Sequence, residues 1–219
     1  MNFWQETWTL IYRDAVLEWR TKYAIGGIIL YVLSTVVVAY SALIRLDPPV
    51  WNAVYWIMVL FAAISAVVKS FIQESSARQL YYYSLVNPAA LLVAKMIYNT
   101  VLLTGLCFLT WALLGLLTGN PVKNPSLFSL IIVLGSLGLA VTFTFISAIS
   151  AKTHNSATLM AVLGFPLIIP VLLTLVRLSA VALRLMQDTS IDGDMVILAG
   201  IDLMLMGVAL VLFPFLWRD

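Results

Sequence analysis

Six stretches of the chain are mainly apolar: 24–44, 50–68, 89–117, 127–150, 156–176 and 195–217. About 20 mainly apolar residues in a helix cross the hydrocarbon core of a bilayer, so the pattern predicts six transmembrane helices. A transmembrane barrel would need strands that alternate apolar and polar with period two. Runs such as ILYVLSTVVVAYSALI and SLIIVLGSLGLAVTFTFI show no such alternation. The predicted class is therefore all-α, a polytopic membrane protein with a single domain over 1–219.

Two amphipathic segments lie outside these spans. In the first, Trp4, Trp8, Ile11, Tyr12, Ala15 and Trp19 share one helical face, while Gln5, Glu6, Arg13, Asp14 and Glu18 share the other. The many charges leave no uninterrupted apolar core, which argues against a cleavable signal peptide. The segment reads as an interfacial helix with its indoles at headgroup level, feeding into the first span.

The second segment is KSFIQESSARQLYYYSLVN, Lys69 to Asn87, between the second and third spans. Ser76 and Gln79 fit a capping box, in which each side chain satisfies a backbone N–H at a helix start. A helix from there places Ala77, Leu80, Tyr81, Ser84 and Leu85 on one face and Arg78, Gln79 and Tyr82 elsewhere. Asn87-Pro88 ends it and opens the next helix, because the residue before proline is pushed out of the α region. A short helix with an apolar face, set between two spans, reads as a docking surface.

Composition agrees with the pattern: 63% of residues are hydrophobic, 10% are charged and the mean hydropathy is +1.03. A net charge of +2 without a basic stripe excludes a nucleic-acid binder. The basic residues orient the chain. Arg13, Arg20, Lys22, Lys69, Arg78, Lys152 and Arg218 fall on one side, against Arg45, Lys123, Arg177 and Arg184 on the other. This asymmetry predicts that both termini are cytoplasmic.

The inventory of reactive groups is thin. His154 is the one histidine and lies in a short loop, AKTHNS, where it reads as a solvated side chain. Cys107 is the one cysteine and reads as a small apolar group within the third span. No metal site, phosphate loop, nucleophile elbow or covalent haem motif is present. Two charges fall inside spans, where each costs about 2.5–3.5 kcal/mol near mid-depth. Lys95 is close enough to the start of its span to snorkel to the headgroups, with Glu74 or a lipid phosphate as alternative partners. Asp202 faces either the bundle or a thinned interface. Ser136, Ala140, Thr144 and Ala148 recur every fourth residue, a spacing that lets helices approach closely, within the chain or across a dimer. Pro166 and Pro170 interrupt the fifth span and predict a kink, either a static bend or a hinge.

Four of these features together resemble haem exporter protein B, the CcmB family of permeases. They are the polar loop ending in Gln79-Leu80, Leu-Val-Ala-Lys at 92–95, Leu-Gly-Phe-Pro-Leu-Ile-Ile-Pro at 163–170, and the six-span length. The resemblance implies a bacterial inner-membrane permease subunit of the ABC transporter used in cytochrome c biogenesis, without an ATPase site of its own. It implies a P-loop ATPase partner of the CcmA type, haem-handling membrane subunits of the CcmC and CcmD types, and a haem chaperone of the CcmE type. A homodimer is the default for half-transporters. It further assigns Glu74, Ser76, Arg78, Gln79, Leu80, Tyr81, Tyr82 and Leu85 to an ATPase-coupling helix, although Glu74-Ser75-Ser76-Ala77-Arg78 departs from the family's acidic-Gly-Ser-Leu-Glu pattern. ATP would act through the partner and haem would be handled by the complex, with no cofactor bound directly by this chain. The sequence leaves two other readings open: the permease of another two-component exporter for lipid, drug or polysaccharide, and an ATP-independent membrane carrier or enzyme.

Overall fold

The computed structural model describes residues 3–21, 23–42, 46–67, 86–150, 156–186 and 191–218. These form seven helices: α1 Phe3–Thr21, α2 Tyr23–Ala42, α3 Pro48–Val67, α4 Pro88–Thr118, α5 Pro125–Ser150, α6 Ser156–Ala182 and α7 Ile191–Arg218. Five carry apolar segments long enough to cross a membrane, namely α3, α4, α5, Val162–Ala182 of α6 and Ile191–Phe215 of α7, and α2 is apolar from Gly26 to Ala42. The chain is a multi-pass membrane protein.

α5 occupies the centre, packed against α3, α4, α6 and α7. Its small residues explain why. Gly135, Ser136, Gly138, Ala140 and Thr144 are buried, and they let neighbouring backbones approach where bulkier side chains would hold them apart. The stripe of Ser136, Ala140, Thr144 and Ala148 is used within the chain. Ser136 Oγ lies 3.5 Å from Cys107 Sγ, and the Asn99 Nδ2–H donates to Thr144 Oγ1 at 2.8 Å. The two contacts are eight residues apart on each helix in opposite directions, so α4 and α5 run antiparallel.

At the end of the bundle where α4 gives way to α5, called the far end below, aromatic rings fill the interior. Trp51 stacks on Tyr55 with centroids 5.5 Å apart, Phe128 packs on both, and Trp111 meets Phe128 edge-on at 5.0 Å. Every polar handle is satisfied, as buried rings with N–H or O–H groups require. Trp51 Nε1–H donates to Thr118 Oγ1, Tyr55 Oη–H to the Cys107 carbonyl, and Trp56 Nε1–H to Ser179 Oγ. Asn52 bridges to α6 through the Val176 carbonyl and the Ser179 hydroxyl. The connection between α4 and α5 is fastened to the same helix, with the Lys123 and Asn124 N–H groups both donating to the Ala182 carbonyl.

Two predicted boundaries are corrected. The fifth span does not end at 176, because α6 continues to Ala182 and closes on Arg184, whose φ of 56° is left-handed. Leu185 N–H reaches back to the Ala180 carbonyl and Arg184 N–H to that of Val181, the paired bonds of a Schellman cap. Arg177 did not end the helix because it projects outward as an exposed side chain. The sixth span starts at Ile191 instead of 195, with Asp192 and Asp194 in its first turn, where the helix dipole favours carboxylates.

Candidate functional site

Of the docking segment predicted at 69–87, residues 69–85, with Glu74, Ser76, Arg78, Gln79, Leu80, Tyr81, Tyr82 and Leu85, lie outside the described residues, as does His154. Its exit is described. Asn87 caps α4, its side chain accepting from the Ala89 N–H at 3.0 Å, and Pro88 occupies the first helical position. There the missing N–H costs nothing, because the first-turn donors have no intrahelical partner.

α1 is bound to this exit. The Asn87 N–H donates to Glu6 Oε1 at 2.7 Å, and two turns further along each helix Lys95 Nζ lies 3.6 Å from Asp14 Oδ2. Glu6 and Asp14 are eight residues apart, as are Asn87 and Lys95, so the two helices run side by side in the same direction for about 12 Å. Still further along, Tyr98 lies within electrostatic range of Asp14 and Glu18.

The polar face of α1 is thus its packed face. Thr7 and Leu10 are buried and Glu6, Arg13 and Asp14 half-buried, while Trp4, Trp8 and Tyr12 are about 70% exposed. Such an arrangement suits a helix whose outer surroundings are less polar than its inner ones. The snorkelling expected of Lys95 is corrected: its side chain is 4% exposed and its amine meets Asp14, which also accepts from Arg13 Nη2 at 2.7 Å. An opposite charge at this distance compensates part of the cost of burying the ammonium.

Pro166 and Pro170 fall inside α6, which remains one helix through both. Both rings sit on its exposed side. Because proline has no N–H, the carbonyls of Val162 and Pro166, one turn back, lose their helical donors. Past this point Val171, Leu175, Leu178, Ser179 and Ala182 are buried; before it, from 162 on, only Gly164 and Ile168 are. Pro170 therefore lies between a firmly packed stretch, 171–182, and a loosely packed one, 162–169.

Asp202 is inside the bundle and not at a thinned interface. It is 3% exposed and sits on α7 against Gly138 of α5. Glu6, Asp14 and Gly138 were not singled out from the sequence. The signal for the first two was present in the eight-residue spacing shared by two acids of α1 and by the cap and cation of α4. Gly138 carried no signal, because its role is set by a residue on another helix.

A family model described as CcmB protein matches residues 5–217 of the chain. No curated protein matches it.

Proposed function

Because the chain belongs to the CcmB family, and so is a membrane permease subunit of a haem-exporter ABC transporter acting in cytochrome c biogenesis, we propose that it is the moving part through which a separate ATPase does work on that system. Within the segment at 69–85, residues 74–85 form the coupling helix, seated in a cleft of a P-loop ATPase of the CcmA type. ATP binding and hydrolysis in that partner displace the segment, and the displacement enters the bundle at Asn87. Haem-handling subunits of the CcmC and CcmD types and a chaperone of the CcmE type complete the assembly, whose output is haem export or release of haem-loaded chaperone. Residues 1–219 act as a single permease domain in the bacterial inner membrane, with both termini and the 69–85 segment on the cytoplasmic side.

The observation that carries this reading is the attachment of α1 to the exit of the docking segment through Glu6–Asn87 and Asp14–Lys95. A displacement arriving at Asn87 meets both α4 and α1, so one push moves two helices together. Elsewhere the seven-against-four distribution of basic residues supports the orientation. The amphipathic Tyr81-Tyr82-Tyr83 cluster supplies contact area at low entropic cost.

The test is purification of tagged protein from its own host in mild detergent, with ATPase activity and mass spectrometry of the eluate. Wild type should bring an ATPase and haem-handling subunits with it. Charge reversal at Glu74 and Arg78 together should lose the ATPase while retaining the membrane partners. Stable recovery of wild type with no ATPase would replace coupling with an ATP-independent carrier.

A further inference from the structure

Asp202 is a buried acid that the coupling mechanism does not use. Neither carboxylate oxygen has a hydrogen-bond partner among the described residues. An ionised carboxylate cannot stay in such a place uncompensated, because the cost of burial without partner or countercharge exceeds what one packed seam supplies. No described residue of the chain completes it.

The surroundings restrict what does. The carboxylate rests against the backbone of Gly138, where a Cβ would meet Asp202 Cγ at 3.1 Å, so the contact exists only because α5 has no side chain there. α5 contributes no ionisable residue at all. On α6 the one cation is Arg177, which is exposed. On α4, Lys95 is engaged by Asp14 and Cys107 is bonded to Ser136, leaving Tyr98, which lies beside Asp14 and Glu18 of α1. On α7 itself Asp192 and Asp194 occupy the first turn, about 12–15 Å along the helix from Asp202. A divalent ion is disfavoured, since no group of three or more metal-ligating side chains occurs among the described residues. A side chain from a partner subunit is disfavoured as well, because both oxygens are sealed from the surface.

We propose that Asp202, in the seam between α5 and α7 opened by Gly138, is a binding site for one small monovalent cation, a proton or an alkali-metal ion. The cation neutralises the carboxylate and allows α7 to close onto α5. Its loss leaves a bare charge in the seam and favours separation of the two helices, so occupancy and helix packing are linked. The site is independent of the ATPase contact, and its test needs no partner subunit.

The experiment compares wild type with Asp202→Asn, in which a neutral amide replaces the carboxyl, by thermal unfolding of the purified chain in detergent. One arm varies pH in choline chloride; the other varies sodium or potassium chloride at fixed alkaline pH. If the ion is a proton, the wild-type midpoint falls relative to Asp202→Asn as pH rises and salt identity has no effect. If it is an alkali-metal ion, sodium or potassium restores the wild-type midpoint where choline does not, and Asp202→Asn is indifferent. A difference between the two proteins that is flat in both arms overturns the proposal. Should Asp202→Asn fail to fold, wild type alone decides through an apolar carbodiimide, with modification at Asp202 read by mass spectrometry. Modification that declines with rising pH or is blocked by sodium supports the site. Modification insensitive to both, or absent throughout, overturns it.

Discussion

The ion pair between Asp14 and Lys95 holds α1 against α4, and its removal has a worked size. At 3.6 Å and an effective dielectric of about 20, the direct attraction is about 4–5 kcal/mol before desolvation is subtracted. Deleting one member of a buried pair costs about 3–5 kcal/mol, whereas replacing both with apolar groups of similar volume is near neutral. The two deletions should differ here, because Asp14 is shared with Arg13 at 2.7 Å. Lys95→Met leaves Asp14 that partner and belongs at or below the low end of the range. Asp14→Asn takes the carboxylate from both cations and belongs at the high end. For a chain of this size 1 kcal/mol corresponds to about 2–4 °C, so Asp14→Asn, at about 5 kcal/mol, lowers the unfolding midpoint in detergent by about 10–20 °C. Lys95→Met lowers it by less. The double variant should lose less than the sum of the two single losses, by a coupling of more than about 1 kcal/mol, since interacting residues are not additive. A full charge swap, Asp14→Lys with Lys95→Asp, restores only part of the stability, because the introduced ammonium would then stand beside the Arg13 guanidinium. Additivity within about 0.5 kcal/mol, or Lys95→Met proving as damaging as Asp14→Asn, would refute the shared-carboxylate account.

Further outcomes follow from other contacts. Gly138→Ala forces a methyl into the Asp202 carboxylate and should cost about 1–3 kcal/mol by overpacking; the loss should shrink when Asp202→Ala is added, and equal cost in both backgrounds would place the strain elsewhere. Ser179→Ala removes the hydroxyl that accepts from Trp56 Nε1–H and meets Asn52 Oδ1, both at 2.8 Å, and should cost about 1–3 kcal/mol in a denaturation series through the unsatisfied indole and amide. Pro166→Ala with Pro170→Ala restores two helical bonds and should raise the unfolding midpoint. If the prolines form a hinge, the same double variant lowers partner-dependent haem delivery while the ATPase still co-purifies; unaltered delivery would make them a static bend.

The helical class and the six apolar segments were legible because the hydrocarbon core imposes one length and one composition on anything that crosses it. The helix ends were less so. Read residue by residue, hydropathy stops at a charge, whereas α6 and α7 run on through Arg177, Asp192 and Asp194, which are unfavourable in lipid yet compatible with a helix. Lys95 was legible as a costly charge, but its partner was not, because the bland solution, a stem that reaches the headgroups, needs no second residue. Its actual solution depends on α1 turning its charged face inward. Side-chain pattern alone cannot fix that choice: the same amphipathic helix can lie with either face against a neighbour, depending on whether that neighbour offers a cation and a free backbone N–H. The network at Ser179 was similarly hidden, because Asn52 and Ser179 are 127 residues apart and neither is unusual in its own helix.

The two ends of the bundle are held by different means, and this bears on how the proposed push at Asn87 would be transmitted. At the far end, hydrogen bonds from α3 and from the α4–α5 connection converge on α6 between Val176 and Ala182, beside the stacked rings of α3. Aromatic pairs there contribute about 0.5–1.5 kcal/mol each beyond burial, and a rearrangement must break several contacts together. Between Val162 and Pro170, by contrast, α6 buries only Gly164 and Ile168, and Pro170 separates this stretch from the fixed half. Over the same depth α4 and α1 are joined by an ion pair and a carboxylate–amide bond, contacts that hold under displacement because they are directional and shared by both helices. A bundle fixed at one end and jointed at the other converts a small shift at the joint into rotation about the fixed end. Under the proposed coupling, the moving unit would be α1 with the first turns of α4, the yielding unit α6 ahead of Pro170, and α5 the post between them.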